Sequence, residues 1–490
     1  MADVKRPVVV LDIDGLKREL FYNMLADGRL PGFERLVGRG AWVRHGVTVI
    51  PSETLPAQTS LFTGLLVKNH GIVSNGWLER DAKPPFMIDF TRADAAAMVY
   101  GYRLVGLPTL LLPDSDTDGL VNLAMAPGAL TMYERASRAG LRSIVVFSQI
   151  SRGASVWVRP SRPDMVYFAL STRAKLDYAR MDRKTWGTIK KTLKEHGLPD
   201  LLTLYFCGLD AWGHHTEDLG QDVYLEQTLD PIMDELARLF EARGWLDRTR
   251  FALCSDHGHS WLDRRLRIGH DALARALAGC GRTAAAHAPL PAKADAYLNI
   301  IGGCAHVHLR RRGTADWSEP PDLEADLLPA ARALAALGAD SAKTPPAGPP
   351  GALFSLILVR PAPGQEYCVF HDNKLIPLEK YFWNRLGQTP NAFQNIYGLN
   401  CGRSGDIVLF SDFVRGCYFA DEDVPRSHGS LAPDDMGIPI IFSGPGIPHR
   451  IIDQASIVDI APTILSLLGV DFSGCDGRAL AVSDSPGALR

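Results

Sequence analysis

The sequence PVVVLDIDG, at residues 7–15, joins a run of apolar, mostly β-branched residues directly to a polar turn. A continuous apolar run of this length is typical of a strand that is buried on both faces of a parallel sheet. Similar short runs recur at residues 143–147, 201–207, 251–254 and 438–442. We therefore predict that these segments are the strands of one buried sheet.

Helical patterns separate these predicted strands. Apolar residues recur at intervals of three and four between residues 221 and 243, which predicts an amphipathic helix. Residues 16–38 also favour a helix, interrupted at 30–32, whereas residues 41–50 alternate like a strand and residues 459–468 form a last helix. Strands that alternate with helices indicate an α/β fold, with a mostly parallel sheet sandwiched by helices.

The composition excludes several classes of protein. The chain has 490 residues, a formal net charge of -3 and 46% hydrophobic residues. Such a chain buries enough apolar surface to fold without disulfide bonds, and its composition differs from that of disordered or fibrous proteins. The near-neutral charge argues against a nucleic-acid polymer or an anionic membrane as the main partner. No uncharged run approaches the roughly 20 residues of a membrane-spanning helix.

The cysteines and the first residues bear on the cellular compartment. Eight cysteines stand singly along the chain and form no CxxC pair. In a chain of this size that pattern is typical of reduced thiols. The apolar stretch after Lys5 and Arg6 is interrupted by Asp12 and Asp14, so it does not resemble the core of a signal peptide. We therefore expect a cytoplasmic protein.

The composition changes between about residues 280 and 425. Residues 318–352 combine an Ala/Leu-rich helical pattern with proline-rich segments, which act as semi-rigid connectors. We therefore expect a catalytic core made of residues 1–280 and 425–490. Residues 281–424 are expected to form an inserted cap between two late strands of that core.

Polar side chains with catalytic or metal-binding chemistry adjoin the predicted strands. Because the carboxyl ends of parallel strands meet at one edge of a sheet, we expect these side chains to lie close together. Three carboxylates, three imidazoles and one hydroxyl make up the set, namely Asp14, Thr54, Asp210, His214, Asp256, His257 and His428.

The mixture of donor types indicates a metal centre. Carboxylate and imidazole donors together suit zinc-like divalent ions, whereas an all-oxygen set favours Mg²⁺ or Ca²⁺. Asp210 and His214 lie one helical turn apart and share a face if a helix begins there. Six ligands divide into three for each of two metal ions and leave positions for a nucleophile and substrate oxygens. A threonine hydroxyl such as that of Thr54 is a poor nucleophile unless a metal or base activates it.

Several motifs together resemble one known family. They are VLDIDGL (10–16), IPSETLPAQTSLFTGLLVKNHGIVSN (50–75), GLDAWGHH (208–215), SDHGHS (255–260) and RSHGS (426–430). In this order they resemble the type I phosphodiesterase/nucleotide pyrophosphatase family of the alkaline phosphatase superfamily. The segment IVDIAPTILSLLGV (457–470) is also typical of that superfamily.

The resemblance implies an alkaline-phosphatase-like fold and a phosphohydrolase with two divalent metal ions, expected to be Zn²⁺. It implies that Thr54 is the nucleophile and forms a phosphothreonine intermediate. Asp14, Asp256 and His257 are then expected to hold one zinc together with the Thr54 oxygen. The other zinc is expected to bind the remaining three residues of the set, which are Asp210, His214 and His428. The expected partner is a small-molecule phosphoryl substrate.

Three residues near the motifs match no ligand position. Asp12 stands where relatives have a small polar residue, and His215 and His259 neighbour ligands without matching one. We expect each of these two histidines either to contact a metal ligand without binding the metal or to lie at the surface. An imidazole behind a ligand can still orient it, so these residues merit a test.

One departure from the family affects the expected substrate. Relatives carry Asn shortly after the nucleophile, as a donor to a phosphoryl oxygen, whereas this chain has Ala57. Gln58, Lys68 or a residue of the cap is expected to replace that donor. A phosphodiesterase is the leading hypothesis, a phosphomonoesterase or phosphonate hydrolase the first alternative, and an inactive scaffold a further one. A sulfatase is disfavoured because position 54 is neither Cys nor Ser.

The cap is expected to select the leaving group. It leaves the core after the Asp256–His257 pair and returns before His428, so both its ends are expected to lie beside the metals. The alternative is a peripheral subdomain that only adds stability. Candidate contacts to substrate are the aromatic and basic side chains of Lys374, Lys380, Tyr381, Phe382 and Trp383.

Overall fold

The computed structural model describes residues 6–90, 99–100, 118–161, 163–167, 177–216, 220–286, 290–341, 353–383, 392–421 and 424–483. The proline-rich connector at 342–352 lies outside them. The strands are β1 (Val8–Ile13), β2 (Ala41–Val47), β3 (Gly76–Glu79), β4 (Phe86–Asp89), β5 (Ser143–Val146), β6 (Val156–Val158), β7 (Leu201–Phe206), β8 (Arg250–Cys254), β9 (Ser260–Trp261), β10 (Arg267–Ile268), β11 (Ala284–Ala285), β12 (Ala296–Ile301), β13 (Cys304–Leu309), β14 (Phe354–Val359), β15 (Cys368–His371), β16 (Lys374–Pro377), β17 (Ile407–Ser411), β18 (Tyr418–Phe419), β19 (Arg426–Ser427), β20 (Ile440–Ser443) and β21 (Arg450–Ser456).

The helices occupy both halves of the chain. They are α1 (Arg18–Ala26), α2 (Pro31–Val37), α3 (Thr54–Thr63), α4 (Val67–His70), α5 (Leu120–Ala124), α6 (Met132–Arg138), α7 (Ala179–His196), α8 (Gly208–His215), α9 (Gln221–Tyr224), α10 (Asp230–Ala242), α11 (His270–Ala278), α12 (Leu328–Ser341), α13 (Leu378–Phe382), α14 (Ala392–Leu399), α15 (Pro433–Met436) and α16 (Ile460–Leu467). A π-helical turn, Leu225–Leu229, joins α9 to α10, so the helix predicted over 221–243 is present with one widened turn. In the described part of the chain, no helix is long and apolar enough to cross a membrane.

The central sheet has eight strands in the order β21-β2-β20-β8-β1-β7-β5-β6. β1 lies between β7 and β8 and pairs with both in parallel. Only β20 runs antiparallel to its neighbours β2 and β8. The predicted α/β fold with a mostly parallel sheet is therefore confirmed.

Helices cover both faces of this sheet, which explains the unbroken apolar run of β1. Val8 and Val10 belong to one hydrophobic cluster, whereas Val9, Leu11 and Ile13 belong to another on the opposite face. α3, α6 and α16 contribute to the first cluster, and α2, α7 and α10 contribute to the second. A strand between two helical layers has no solvent-facing side, and β1 accordingly begins with four apolar residues before Asp12.

Residues 284–411 build a second, mostly antiparallel sheet of seven strands in the order β11-β12-β13-β17-β14-β15-β16. α11 and α12 pack together against it in a separate hydrophobic cluster. α11 precedes the change in composition at about residue 280, yet it packs with the second sheet. α14 packs against the first unit, where the Asn395 side chain donates to Thr48 O at 3.1 Å.

The turn between β12 and β13 attaches the second sheet beside the strand ends of the first. Gly303 N donates to His428 O at 2.8 Å, and a Cβ at Gly303 would overlap Ser430. On β12, the Asn299 side chain donates to Ser74 Oγ at 3.0 Å and to Gly76 O at 2.8 Å. The second sheet is therefore fixed to the first unit at two points near the predicted site.

A buried carboxylate fixes the start of α8. Asp182, on α7, accepts from Gly208 N at 3.1 Å and from the Tyr224 hydroxyl at 2.8 Å. Burial raises the pKa of Asp182 from 3.8 to about 7. Because the folded state then holds the proton more tightly than the unfolded chain, this group stabilises the fold most at low pH. That contribution is lost as the pH rises towards about 7.

We predict that Asp182→Asn removes this pH dependence while keeping the acceptor for Gly208 N. The free energy of unfolding of the variant relative to the wild type should rise between pH 5 and pH 8 by on the order of 2 kcal/mol. Urea titrations of both proteins at each pH measure it. Asp453→Asn, at an exposed carboxylate, is the control and should show no such trend. Parallel pH profiles for Asp182→Asn and wild type would contradict the prediction.

Candidate active site

The central strands bring the predicted site residues to one edge of the first sheet. Because β7, β1 and β8 are parallel neighbours, their carboxyl ends lie side by side. Asp14 follows β1, and Asp256 and His257 follow β8. α8 begins just after β7 and carries Asp210 and His214 one turn apart. The structure therefore brings the residues of three strand ends into one crevice.

The first donor group consists of Asp14, Asp256 and His257. Their candidate metal-binding atoms lie within 4.8 Å of one another, and all three residues are buried. His257 Nε2 is 3.5 Å from Asp14 Oδ1 and 3.5 Å from Asp256 Oδ2. The Thr54 hydroxyl, at the first residue of α3, is 3.2 Å from the same nitrogen. A hydroxyl group therefore lies against this donor group.

The second donor group consists of Asp210, His257, His259 and His428, whose candidate atoms also lie within 4.8 Å of one another. His257 belongs to both groups, so the two groups adjoin. His214 lies beside the second group, with Nε2 3.6 Å from Asp210 Oδ1 and its ring centroid 5.1 Å from that of His428. The seven predicted residues are therefore close together, and His259 joins them.

The histidines of the predicted set share one hydrogen-bonding pattern. In each, Nδ1 lies against a backbone carbonyl oxygen, that of Arg426 for His214 at 3.0 Å, Gly258 for His257 at 3.0 Å and Ser52 for His428 at 2.9 Å. A carbonyl oxygen only accepts, so Nδ1 carries the proton and Nε2 keeps its lone pair. This is the usual arrangement of a metal-binding histidine.

The carboxylates of the first group lie in an unfavourable environment. Burial raises the pKa of Asp14, and the charges of Asp256 and Asp210 raise it further. Burial also raises the pKa of Asp256. In the described part of the chain, Asp14 Oδ1 and Asp256 Oδ2 are buried without a hydrogen-bond partner. A divalent cation supplies the missing countercharge, so these residues fit a metal site.

Asp210 has a different environment from these two carboxylates. Burial raises its pKa, but the imidazoles of His214, His259 and His428 outweigh that effect and hold the pKa well below its usual range. The second group therefore combines one ionised carboxylate with several imidazoles. Mixed oxygen and nitrogen donors of this kind suit a borderline divalent cation such as zinc.

A network of buried side chains fixes the loop that carries Thr54. The Glu53 carboxylate accepts from the Ser74 hydroxyl and from Asn75 N, both at 2.7 Å, and burial raises the pKa of Glu53 to about 8. Leu55 N donates to Asn75 Oδ1 at 2.9 Å. In the described residues no hydrogen bond uses Asn75 Nδ2. An amide donor is therefore held beside Thr54.

Asn75 carries an amide group beside Thr54 that the sequence analysis did not single out. Because position 57 is Ala, Gln58, Lys68 or a residue of the cap was expected to replace the missing amide. Gln58 is fully buried, and neither polar atom of its side chain has a partner among the described residues. Lys68 lies over the ring of Tyr397, with Nζ 3.4 Å from the centroid. Asn75 closes the 50–75 motif, but only the folded chain shows its contact with Leu55.

The three residues that match no ligand position have different surroundings in the structure. Within the described chain, Asp12 and His215 belong to neither donor group, and His215 stacks on Tyr178 with Nδ1 2.9 Å from Ala211 O. His259 differs, because its Nε2 is 2.6 Å from Asp210 Oδ1. The alternation of His257 and His259 in SDHGHS was the available sequence signal.

The fold is that of the alkaline phosphatase superfamily. Within it, the family model "Type I phosphodiesterase / nucleotide pyrophosphatase" matches residues 8–334. The chain belongs to this family of phosphohydrolases.

Solved structures of similar fold include the murine and the human ectonucleotide pyrophosphatase / phosphodiesterase 5. Each has a TM-score of 0.60 and 15% sequence identity, with 96% of this chain and 97% of that chain covered. A third structure, with the same values, is an inactive variant of the murine protein in complex with AMP. The likeness covers nearly all of this chain, so it shows the fold.

The site also depends on the absence of a side chain at residue 15. Gly15 has a φ of +69°, and a Cβ there would lie 3.0 Å from Asp210 Cβ and 3.0 Å from His259 Cδ2. Gly28 has a similar φ of +71°, but a Cβ there would meet nothing within 4 Å. A side chain would therefore strain the backbone at both positions, whereas it would be crowded only at residue 15.

We predict that Gly15→Ala displaces Asp210 and lowers both metal content and phosphodiester hydrolysis at least tenfold. Gly28→Ala should lower only the free energy of unfolding, by about 1 kcal/mol, because it has the strain without the crowding. Metal analysis and hydrolysis of bis(4-nitrophenyl) phosphate measure the effect. Equal metal content in the two variants would contradict the prediction.

Proposed function

We propose that this protein is a two-zinc phosphodiesterase that cleaves a small-molecule phosphoryl ester through a phosphothreonine at Thr54. The observation that carries the proposal is the position of Thr54 Oγ1, 3.2 Å from His257 Nε2. His257 belongs to both donor groups, so the hydroxyl lies where two metal sites would adjoin. A two-metal site of this kind stabilises both the attacking and the leaving oxygen of a displacement at phosphorus.

The proposed ligand assignment is the one that the sequence motifs imply. Asp14, Asp256 and His257 would hold one zinc together with the Thr54 oxygen. Asp210, His214 and His428 would hold the other. Supporting this assignment are the unpartnered oxygens of Asp14 and Asp256 and the Nδ1 contacts of the three histidines. Bound zinc would supply positive charge that favours the ionised form of Thr54.

The reaction then has two displacements. Thr54 Oγ1 loses its proton to solvent and forms a bond to phosphorus, while the bond from phosphorus to the leaving oxygen breaks. The leaving group keeps the electron pair and takes up a proton from solvent. A water molecule next forms a bond to phosphorus, the bond to Thr54 Oγ1 breaks, and one proton of that water returns to Thr54 Oγ1. Asn75 Nδ2 would donate to a phosphoryl oxygen as charge develops there. The N-terminus of α3 also favours negative charge at this position.

We also propose that residues 281–424 form the region that selects the leaving group. In support, Gly303 and Asn299 attach the second sheet beside His428 and Ser74. The suggested contacts differ in exposure. Lys374 lies on the outermost strand β16, which three strands separate from β13, whereas Phe382 is buried and Trp383 is 77% exposed.

The proposed setting is the cytoplasm. All eight cysteines are free, as expected of a protein in a reducing compartment. The proposed partner is a small phosphoryl compound rather than a nucleic-acid polymer, in accord with the near-neutral charge of the chain. The complex of the murine neighbour with AMP supports a nucleotide-sized ligand.

We predict that Thr54→Ala abolishes turnover of bis(4-nitrophenyl) phosphate while leaving zinc content unchanged, because the six other ligands remain. Thr54→Ser should retain measurable activity, since it keeps the hydroxyl. Both variants are compared with wild type before and after chelation, and metal content is determined in parallel.

Near wild-type turnover by Thr54→Ala would refute the covalent mechanism. The same assay with a monoester, a phosphonate and a sulfate ester tests the substrate class. Preference for the monoester or the phosphonate would favour those alternatives. Absence of hydrolysis with every ester, despite bound zinc, would indicate an inactive scaffold.

We predict that Asn75→Asp lowers kcat for the diester about 100-fold, as loss of an aimed donor does in other enzymes. Aspartate keeps the acceptor oxygen for Leu55 N, so the loop should persist while the amide donor is lost. Lys68→Ala is the control and should keep wild-type kcat, because Lys68 contacts Tyr397. Equal kcat values for Asn75→Asp and wild type would exclude the proposed donor.

A further inference from the structure

His259 makes a short contact with a residue of the proposed metal centre. Its Nε2 lies 2.6 Å from Asp210 Oδ1, and its side chain is fully buried. We propose that His259 is a positioning residue that donates a hydrogen bond to Asp210 and thereby orients this carboxylate toward a metal ion. The inference rests on the proposed metal-dependent function and adds a residue to it.

The hydrogen-bonding pattern of His259 is opposite to that of the proposed ligands. In His214, His257 and His428, Nδ1 donates to a backbone carbonyl and Nε2 is left with its lone pair. In His259, Nε2 faces a carboxylate, which only accepts when ionised, so Nε2 carries the proton. A protonated Nε2 has no lone pair for a metal.

The environment of His259 Nδ1 leads to the same assignment. This atom is buried and has no hydrogen-bond partner among the described residues. If Nε2 bound a metal, Nδ1 would carry the proton and would be a buried donor without an acceptor, at a cost of about 1–3 kcal/mol. With the proton on Nε2 instead, Nδ1 is a buried acceptor without a donor, and buried N–H groups without an acceptor are the rarer of the two in folded proteins. His259 is therefore suited to act through Asp210 rather than as a ligand.

Two glycines hold the ring of His259 in place. A Cβ at Gly213 would lie 3.1 Å from His259 Cε1 and 3.2 Å from Nδ1. A Cβ at Gly15 would lie 3.0 Å from His259 Cδ2 on another edge of the ring. Backbone atoms therefore pack closely against the imidazole, and its rotation is restricted. A ring held in this way presents its N–H to Asp210 in one orientation.

Asp210 Oδ1 can accept a hydrogen bond from His259 and face a metal ion at the same time. A carboxylate oxygen has two lone pairs, so one can accept from His259 while the other faces a cation. Nε2 of His214 and Nε2 of His428 lie 3.6 and 3.7 Å from this same oxygen. The hydrogen bond thus fixes the oxygen around which the second proposed site is arranged.

The test is the zinc affinity of the full-length protein, measured by competition with a chromophoric chelator. His259→Ala should weaken one of the two zinc-binding constants 10- to 100-fold, which is typical of losing a group that orients a ligand. At saturating zinc it should still bind two ions. His259→Gln, whose amide can donate from a similar distance, should restore the affinity to within a few-fold of wild type.

Two controls distinguish positioning from direct coordination. His214→Ala should lose one equivalent of zinc even at saturation. His215→Ala should have wild-type affinity, because His215 bonds to Ala211 O outside the donor groups. If His259→Ala does not fold, His259→Phe retains a ring without the donor and replaces it. The visible spectrum of the cobalt-loaded protein should change in the Ala variant and return towards wild type in the Gln variant.

Three results would overturn the proposal. Loss of one zinc equivalent at saturation in both the Ala and Gln variants would make His259 a ligand. Unchanged affinity in the Ala variant would exclude any role. If both variants bind zinc weakly but still bind two ions at saturation, loss of the hydrogen bond is not the cause of the weaker affinity. If wild type binds two zinc ions but hydrolyses no ester, the proposed function fails while these affinity results still decide the role of His259.

Discussion

The structure depends on the repulsion between carboxylates that three parallel strands bring to the same edge of a sheet. Asp14, Asp210 and Asp256 are close enough for the charges of Asp210 and Asp256 to raise the pKa of Asp14. No hydrophobic gain accounts for such an arrangement, because buried carboxylates destabilise a fold unless they are paired. The cost is offset by the two apolar layers on either side of β1 and would be relieved further by bound cations.

The surrounding chain holds these charges in place mainly through backbone atoms. Histidine rings are oriented by carbonyl oxygens, and Gly15, Gly213 and Gly303 allow neighbouring segments to approach without a Cβ. The second sheet takes part in this arrangement, because its turn at Gly303 contacts the carbonyl of His428. The second sheet therefore supports the loop that carries His428, and the two units meet beside the site.

The sequence predicted the features that are local or repeated. An apolar run followed directly by a polar residue marks a buried strand end, which is why Asp14 and Asp256 were placed beside one another. Asn75 and His259 were not assigned their contacts, because these depend on how a loop returns to α3 and on which ring nitrogen faces Asp210. The packing of α11 was also not predicted. It packs with the second sheet although it precedes the change in composition.

The two donor groups carry different charges, so positive charge is required more strongly at one of them than at the other. The first group has two carboxylates and one imidazole, and burial raises the pKa of both carboxylates. The second has one carboxylate whose pKa is held low by the imidazoles around it. A cation therefore relieves more repulsion at the first group, and the Thr54 hydroxyl lies against that group. The hydroxyl is thus adjacent to the position where positive charge is most strongly required, and ionisation of a threonine is favoured by positive charge.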